Sequence, residues 1–144
     1  MNDSRMDGHA RHNHDLMRKV IEHVLLEPAA YDQSIAAVTD SRNICGVSAC
    51  LAGSAAIIDG RVTLVELLDC IHPKEILARA QIAFGFTDEE AEIVFTGDPV
   101  TGWPEEFGNR WMETDTLDNG AATQQQAFIA ADYLTWIIEH GYVR

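Results

Sequence analysis

Residues 45–60 read CGVSACLAGSAAIIDG. From Cys45 to Ile58 this stretch is apolar or small on every side, and it ends at the turn signal Asp59-Gly60. A helix without a polar face belongs in the middle of a core rather than on its surface. Ala49, Gly53 and Ile57 stand four apart, as do Ala52 and Ala56, so small side chains on two faces let neighbouring helices approach closely. The expectation is a central helix over residues 45–58 with amphipathic helices assembled around it.

The flanking sequence supplies those helices. Leu16, Met17, Val20, Ile21, Val24 and Leu25 recur at helical spacing ahead of Pro28, predicting an amphipathic helix from Asp15. Residues 1–14 are polar and charged and read as a flexible tail. Tyr31 to Val38 reads as a short helical turn, and Thr39 to Asn43 as a polar connection. Beyond Gly60, Thr63 and Glu66 have capping-box spacing for a short helix, and Thr87 and Glu90 repeat it. Between them Pro73 suits a first helical position and Gly85 a left-handed stop. Residues 96–120 are the least regular part, but Trp103, Phe107 and Trp111, four apart and starting beside Pro104, fit one face of one or two helical turns. A final helix, roughly Ala121 to His140, is introduced by Asp118-Asn119-Gly120 and closed by Gly141. Its apolar surface, Ala127, Ala130, Ala131, Leu134, Ile137 and Ile138 widened by Ile129, Tyr133 and Trp136, is broader than a surface helix needs. That breadth fits either a central position or a homodimer contact through this helix. The sum is an all-α protein: a flexible tail over residues 1–14 and a single helical domain over 15–144, a compact bundle of five or six helices.

Composition narrows the function classes. The 144 residues suffice for one domain and not for two, and the core needs no disulfide or metal staple. The formal net charge of −13 argues against direct binding to nucleic acid or to an anionic membrane, because phosphates repel it. No apolar run approaches the ~20 residues of a membrane span. Met1 to Asp15 has no apolar signal-peptide core, which sets a cytoplasmic location as the expectation, and the three cysteines then suggest reduced thiols.

The charge is concentrated. Residues 80–144 hold 12 acids against Arg110 and Arg144, and ten of those acids lie between Asp88 and Asp118. Asp88, Glu89 and Glu90 fall in a first helical turn, where the helix dipole favours anions. Glu105, Glu106, Glu113, Asp115 and Asp118 have no such local reason and surround the aromatic trio. Trp103, Glu105, Glu106, Phe107, Trp111, Glu113, Asp115 and Asp118 are therefore the candidate partner-binding residues, against the plainer readings of a solvated acidic face and of aromatics closing the core.

Catalytic chemistry is weakly signalled. Cys45, near the expected helix start and beside Gly46, and Cys50 are candidate reactive thiols. A general base would come from His23, His72 or His140, none at a telling spacing. Cys45, Cys50, Cys70 and His72 match zinc by ligand type, but Cys45 and Cys50, five apart on one helix, point away from each other. His9, His12 and His14 sit in the expected tail. No phosphate-cradling glycine loop is present. No metal, no cofactor and no catalytic residue is assigned.

The run Cys45-Gly46-x-x-Ala49-Cys50-Leu51-Ala52-Gly53-x-Ala55 resembles a motif of small uncharacterised proteins of actinobacteria and their phages. Tyr31 to Ser34 and the segment Arg79-Ala80, Gly85-Phe86-Thr87, Glu90-Ala91, Phe95 are similar to further stretches of that group, so the likeness covers residues 15–95. Val47 stands where that group commonly has Thr, and Ser54 where it commonly has a larger His or Trp. The resemblance carries no activity with it. The lack of a catalytic constellation, together with the acidic and aromatic segment 88–118, sets the expectation of a non-enzymatic factor that binds a basic protein partner, a phage-encoded or phage-derived accessory or host-modulating protein. The rivals are a nucleic-acid mimic that inhibits a DNA-binding protein and a thiol-dependent enzyme or redox sensor.

Overall fold

A computed structural model describes residues 11–28, 31, 37–39, 47–69 and 71–144. It is all-α, with one short strand pair. In chain order the elements are α1 (His14–Leu26), β1 (Ala37–Thr39), β2 (Val47–Ala49), α2 (Leu51–Ile58), α3 (Leu64–Leu68), α4 (Pro73–Phe84), α5 (Asp88–Ala91), α6 (Pro99–Gly102), α7 (Glu105–Glu113) and α8 (Asn119–His140). A π-helical stretch, Glu92–Thr96, prolongs α5, and a 3₁₀ turn, Thr114–Thr116, joins α7 to α8.

The all-apolar stretch is a core helix, but a shorter one than expected. Leu51 to Ala56 are buried without exception, including Ser54 at 4% exposure. The helix starts at Leu51 rather than near Cys45, because Cys50 is extended and acts as its N-cap. Val47–Ala49 pairs antiparallel with Ala37–Thr39, in the register Ala37↔Ala49, Val38↔Ser48, Thr39↔Val47. This pairing also replaces the end of the helical turn expected over 31–38. Backbone groups with a partner strand available are satisfied there, and β-branched Val38, Thr39 and Val47 suit it.

Local signals set the remaining helix ends. Thr63 with Glu66 and Thr87 with Glu90 form complete capping boxes at α3 and α5. Pro73 opens α4, and Gly85 (φ 75°) and Gly141 (φ 78°) close α4 and α8 in the left-handed conformation. Asp118 caps α8 by accepting from the Ala121 N–H at 2.9 Å.

Helix α1 is shared by two halves of the core. Leu16, Met17, Val20 and Val24 are buried along it, and it packs on α8 and also on α2 and α4, which pack on each other. Helix α7 and the 3₁₀ turn lie against the other side of α8. Helix α6 packs on α7 at Gly108, where an added Cβ would sit 2.6 Å from the Val100 carbonyl oxygen. The broad apolar surface of α8 is thus occupied within the chain: Ala127, Ile129, Ala130, Ala131, Tyr133, Leu134 and Ile137 are all buried.

The expected tail boundary shifts for residues 11–14. His12 is buried at 6% exposure, Asn13 caps α1 by accepting from the Leu16 N–H at 3.1 Å, and His14 is the first residue of that helix. Among the described residues no helix is long and apolar enough to cross a membrane.

Candidate functional site

The acidic and aromatic residues picked out between 103 and 118 separate in space. Trp103 (2% exposed) and Phe107 (4%) belong to the core, and Trp111 packs against it. Trp103 lies 4.4 Å from Tyr133 with the rings tilted by 32° and meets Trp111 edge-on at 5.3 Å, while Phe107 lies 5.3 Å from Tyr133. The Trp103 indole N–H donates to the Ile93 carbonyl at 3.1 Å, in the π-helical stretch. Buried aromatics with satisfied polar tips close a core, so Trp103 and Phe107 are corrected from partner-binding to structural residues.

The carboxylates face outward. Glu105, Glu106, Glu113, Asp115 and Asp118 are exposed. Three of the five have local uses: Asp118 is the α8 cap, and Glu105 and Glu106 occupy the first turn of α7. Glu106, Arg110 and Glu113 follow one another along one face of α7. Arg110 nevertheless pairs across to Asp132 on α8 at 2.8 Å, which leaves Glu113 and Asp115 without an ion pair among the described residues. A cleft of about 560 Å³ opens at this corner, lined by Arg110, Glu113 and Thr116 with Leu117, Ala121 and Ile129 as its apolar part. Leu117 (42% exposed) and Met112 (50%) are large apolar side chains left in solvent here.

Of the candidate thiols, Cys45 lies outside the described residues, as do Cys70 and His9. Cys50 is 2% exposed at the N-cap of α2. A nucleophile needs access to its substrate, and this buried sulfur has none. Among the described residues no group of three or more His, Cys, Asp or Glu is placed to hold a metal.

A second charged cluster, which no local sequence pattern marks, lies at the end of α4. Residues 11–13 form a strap across the end of α4. The Asn13 N–H donates to the Phe84 carbonyl at 2.9 Å and its side-chain amide to Ala83 at 3.1 Å. His12, its side chain wholly buried, places Nε2 2.7 Å from Glu90 Oε2, and Arg11 donates to Glu90 Oε1 at 3.1 Å. Since the ionised carboxylate only accepts, Nε2 carries the proton, and the buried Nδ1 has no hydrogen-bond partner among the described residues. The ring also meets Phe86 edge-on at 5.0 Å. The strap and the C-terminus share a cleft of about 520 Å³ lined by Arg11, Thr87, Glu90, Tyr142 and Arg144. Tyr133, whose hydroxyl donates to the Val143 carbonyl at 2.5 Å, has its own ionisation pushed up by burial.

Burial raises the Glu90 carboxyl, but the His12 hydrogen bond, the Thr87 N–H and the nearby charges of His12 and Arg11 outweigh it, so the group titrates below its ordinary value of 4.5. A depressed carboxyl stabilises the fold above that value and loses its contribution as pH falls through the lower, folded-state pKa. Wild type is therefore expected to exceed Glu90→Gln in urea midpoint at pH 7, with the gap closing below pH 4.5. A gap that stays constant down to pH 3 would show that the ionised carboxylate contributes nothing.

Compared with family models, with curated proteins and with solved structures, the chain finds no match.

Proposed function

We propose that this is a non-enzymatic binding factor that docks a basic protein partner on the acidic corner formed by α7, the 3₁₀ turn and the start of α8. The observation carrying this reading is the arrangement of charge there. Arg110, the one cation of the corner among the described residues, is drawn off to Asp132, while Glu113 and Asp115 stand exposed and, among the same residues, without an ion pair. Like charges held together without counterions repel one another, and a cationic partner relieves that repulsion. Cys50, buried at the N-cap of α2, lends the thiol-dependent alternative no support. An accessory or host-directed role, as the motif resemblance suggests, needs only such a binding face.

Carbodiimide coupling of carboxylates to partner lysines tests this. A single protein should be retained from lysate, rebind when purified, and give cross-links at Glu105, Glu106, Glu113 or Asp115. Its affinity should fall at least tenfold in the double variant Glu113→Lys, Asp115→Lys and should weaken as salt screens the charges. No rebinding by the purified partner, or rebinding indifferent to the double variant, overturns the reading.

A further inference from the structure

Resting on that reading, we infer that the groove beside Leu117 takes one apolar side chain of a lysine- or arginine-flanked amphipathic peptide segment of the partner. The groove has a mixed lining that suits such a segment and little else. Leu117, Ala121 and the wall at Ile129 supply an apolar seat, while Thr116 and Gln125 supply polar edges and Glu113 a carboxylate in the lining itself. Asp115 and Asp118, both exposed, flank Leu117 in the chain, so a residue seated beside Leu117 has carboxylates within reach on either side.

The shape and the charge favour the same occupant. The cleft volume of about 560 Å³ is open along one side, which admits a side chain projecting from a continuous peptide rather than a ligand that must be enclosed. Leu117 (42% exposed) and Met112 (50%) are costly to leave in water and gain from being covered. An apolar anchor seated beside Leu117 with cations outside it is the familiar division of an interface into a dry centre and a charged rim. Arg110 also lines the groove, but its guanidinium is held to Asp132 at 2.8 Å. The partner's basic residues are therefore placed toward Glu113, Asp115 and Asp118.

The test is selection of random 15-residue peptides displayed on phage against the full-length protein at near-physiological salt, followed by binding of the selected synthetic peptides by fluorescence anisotropy. The selected sequences should share one large apolar residue flanked by Lys or Arg. Their affinity should drop at least tenfold with Ala121→Trp, which fills the groove, and with Leu117→Glu. Leu117 sits between the 3₁₀ turn and α8, so Leu117→Glu keeps the test valid if Ala121→Trp fails to fold. Glu22→Lys, at an exposed position of α1 outside the docking face, should leave these peptides bound within about threefold. A consensus without basic residues, or binding insensitive to both groove variants, overturns the inference. A partner that binds through the acidic face but ignores Leu117→Glu and a folded Ala121→Trp leaves the docking function standing and removes the groove from it.

Discussion

Trp103→Ala is expected to lower folding stability by about 3–5 kcal/mol, the usual cost of emptying a large aromatic site in a core. Trp103 is 2% exposed, packs on Tyr133 and Trp111, and spends its N–H on the Ile93 carbonyl. Its removal leaves a cavity between α7 and α8 together with a carbonyl that has lost its donor. The urea midpoint followed by far-UV circular dichroism reads the loss, with the slope unchanged if only stability has altered. Trp103→Phe restores part of the ring and should recover more than half of it. A loss below about 1 kcal/mol would place Trp103 among ordinary surface positions, and partner affinity reduced at full stability would return it to the docking face.

Gly85→Ala is the second large effect, at about 2–5 kcal/mol, combining a left-handed backbone, which costs a residue with a Cβ ~1–2 kcal/mol, with overpacking worth ~1–3 kcal/mol. Gly85 has φ 75°, and an added Cβ would collide with the Arg11 carbonyl oxygen. The strap must move to admit it. That movement pulls Asn13 from Ala83 and Phe84, and Arg11 and His12 from Glu90. Besides the urea midpoint, hydrogen exchange distinguishes the two contributions. The Asn13 and Leu16 amides should exchange at least tenfold faster in the variant. A loss near 1 kcal/mol with their protection intact would leave the backbone conformation as the whole cost and refute the packed strap.

Both positions show what was legible in the chain and what was not. Gly85 was readable as a helix stop because the requirement for positive φ is local. The second demand on it, room for the Arg11 backbone, comes from a segment more than seventy residues away. Glu90 was likewise readable as half of a capping box, since Thr87 lies three positions before it. Nothing in the sequence marked it as the anchor of His12 and Arg11. The trio Trp103, Phe107 and Trp111 had the right helical spacing, but spacing alone gave no means of choosing between a face turned to the core and one turned to a partner. The apparent helix from Cys45 failed at its beginning for a related reason. Val47–Ala49 takes its backbone hydrogen bonds from β1, and a small apolar run has no signal that announces a partner strand.

By itself, the sequence determined the helical class, the helix ends set by Pro, Gly and the two capping boxes, the burial of the Leu51–Ala56 segment and the concentration of negative charge in residues 80–144. These follow from interactions within about four residues or from composition. Tertiary structure alone decided that the aromatics turn inward, that Arg110 leaves its neighbouring carboxylates for Asp132, and that residues 11–13 close over the end of α4. In each case the deciding partner lies ten or more residues away, and such a pairing is fixed only when the packing of α1, α7 and α8 brings the two groups within reach.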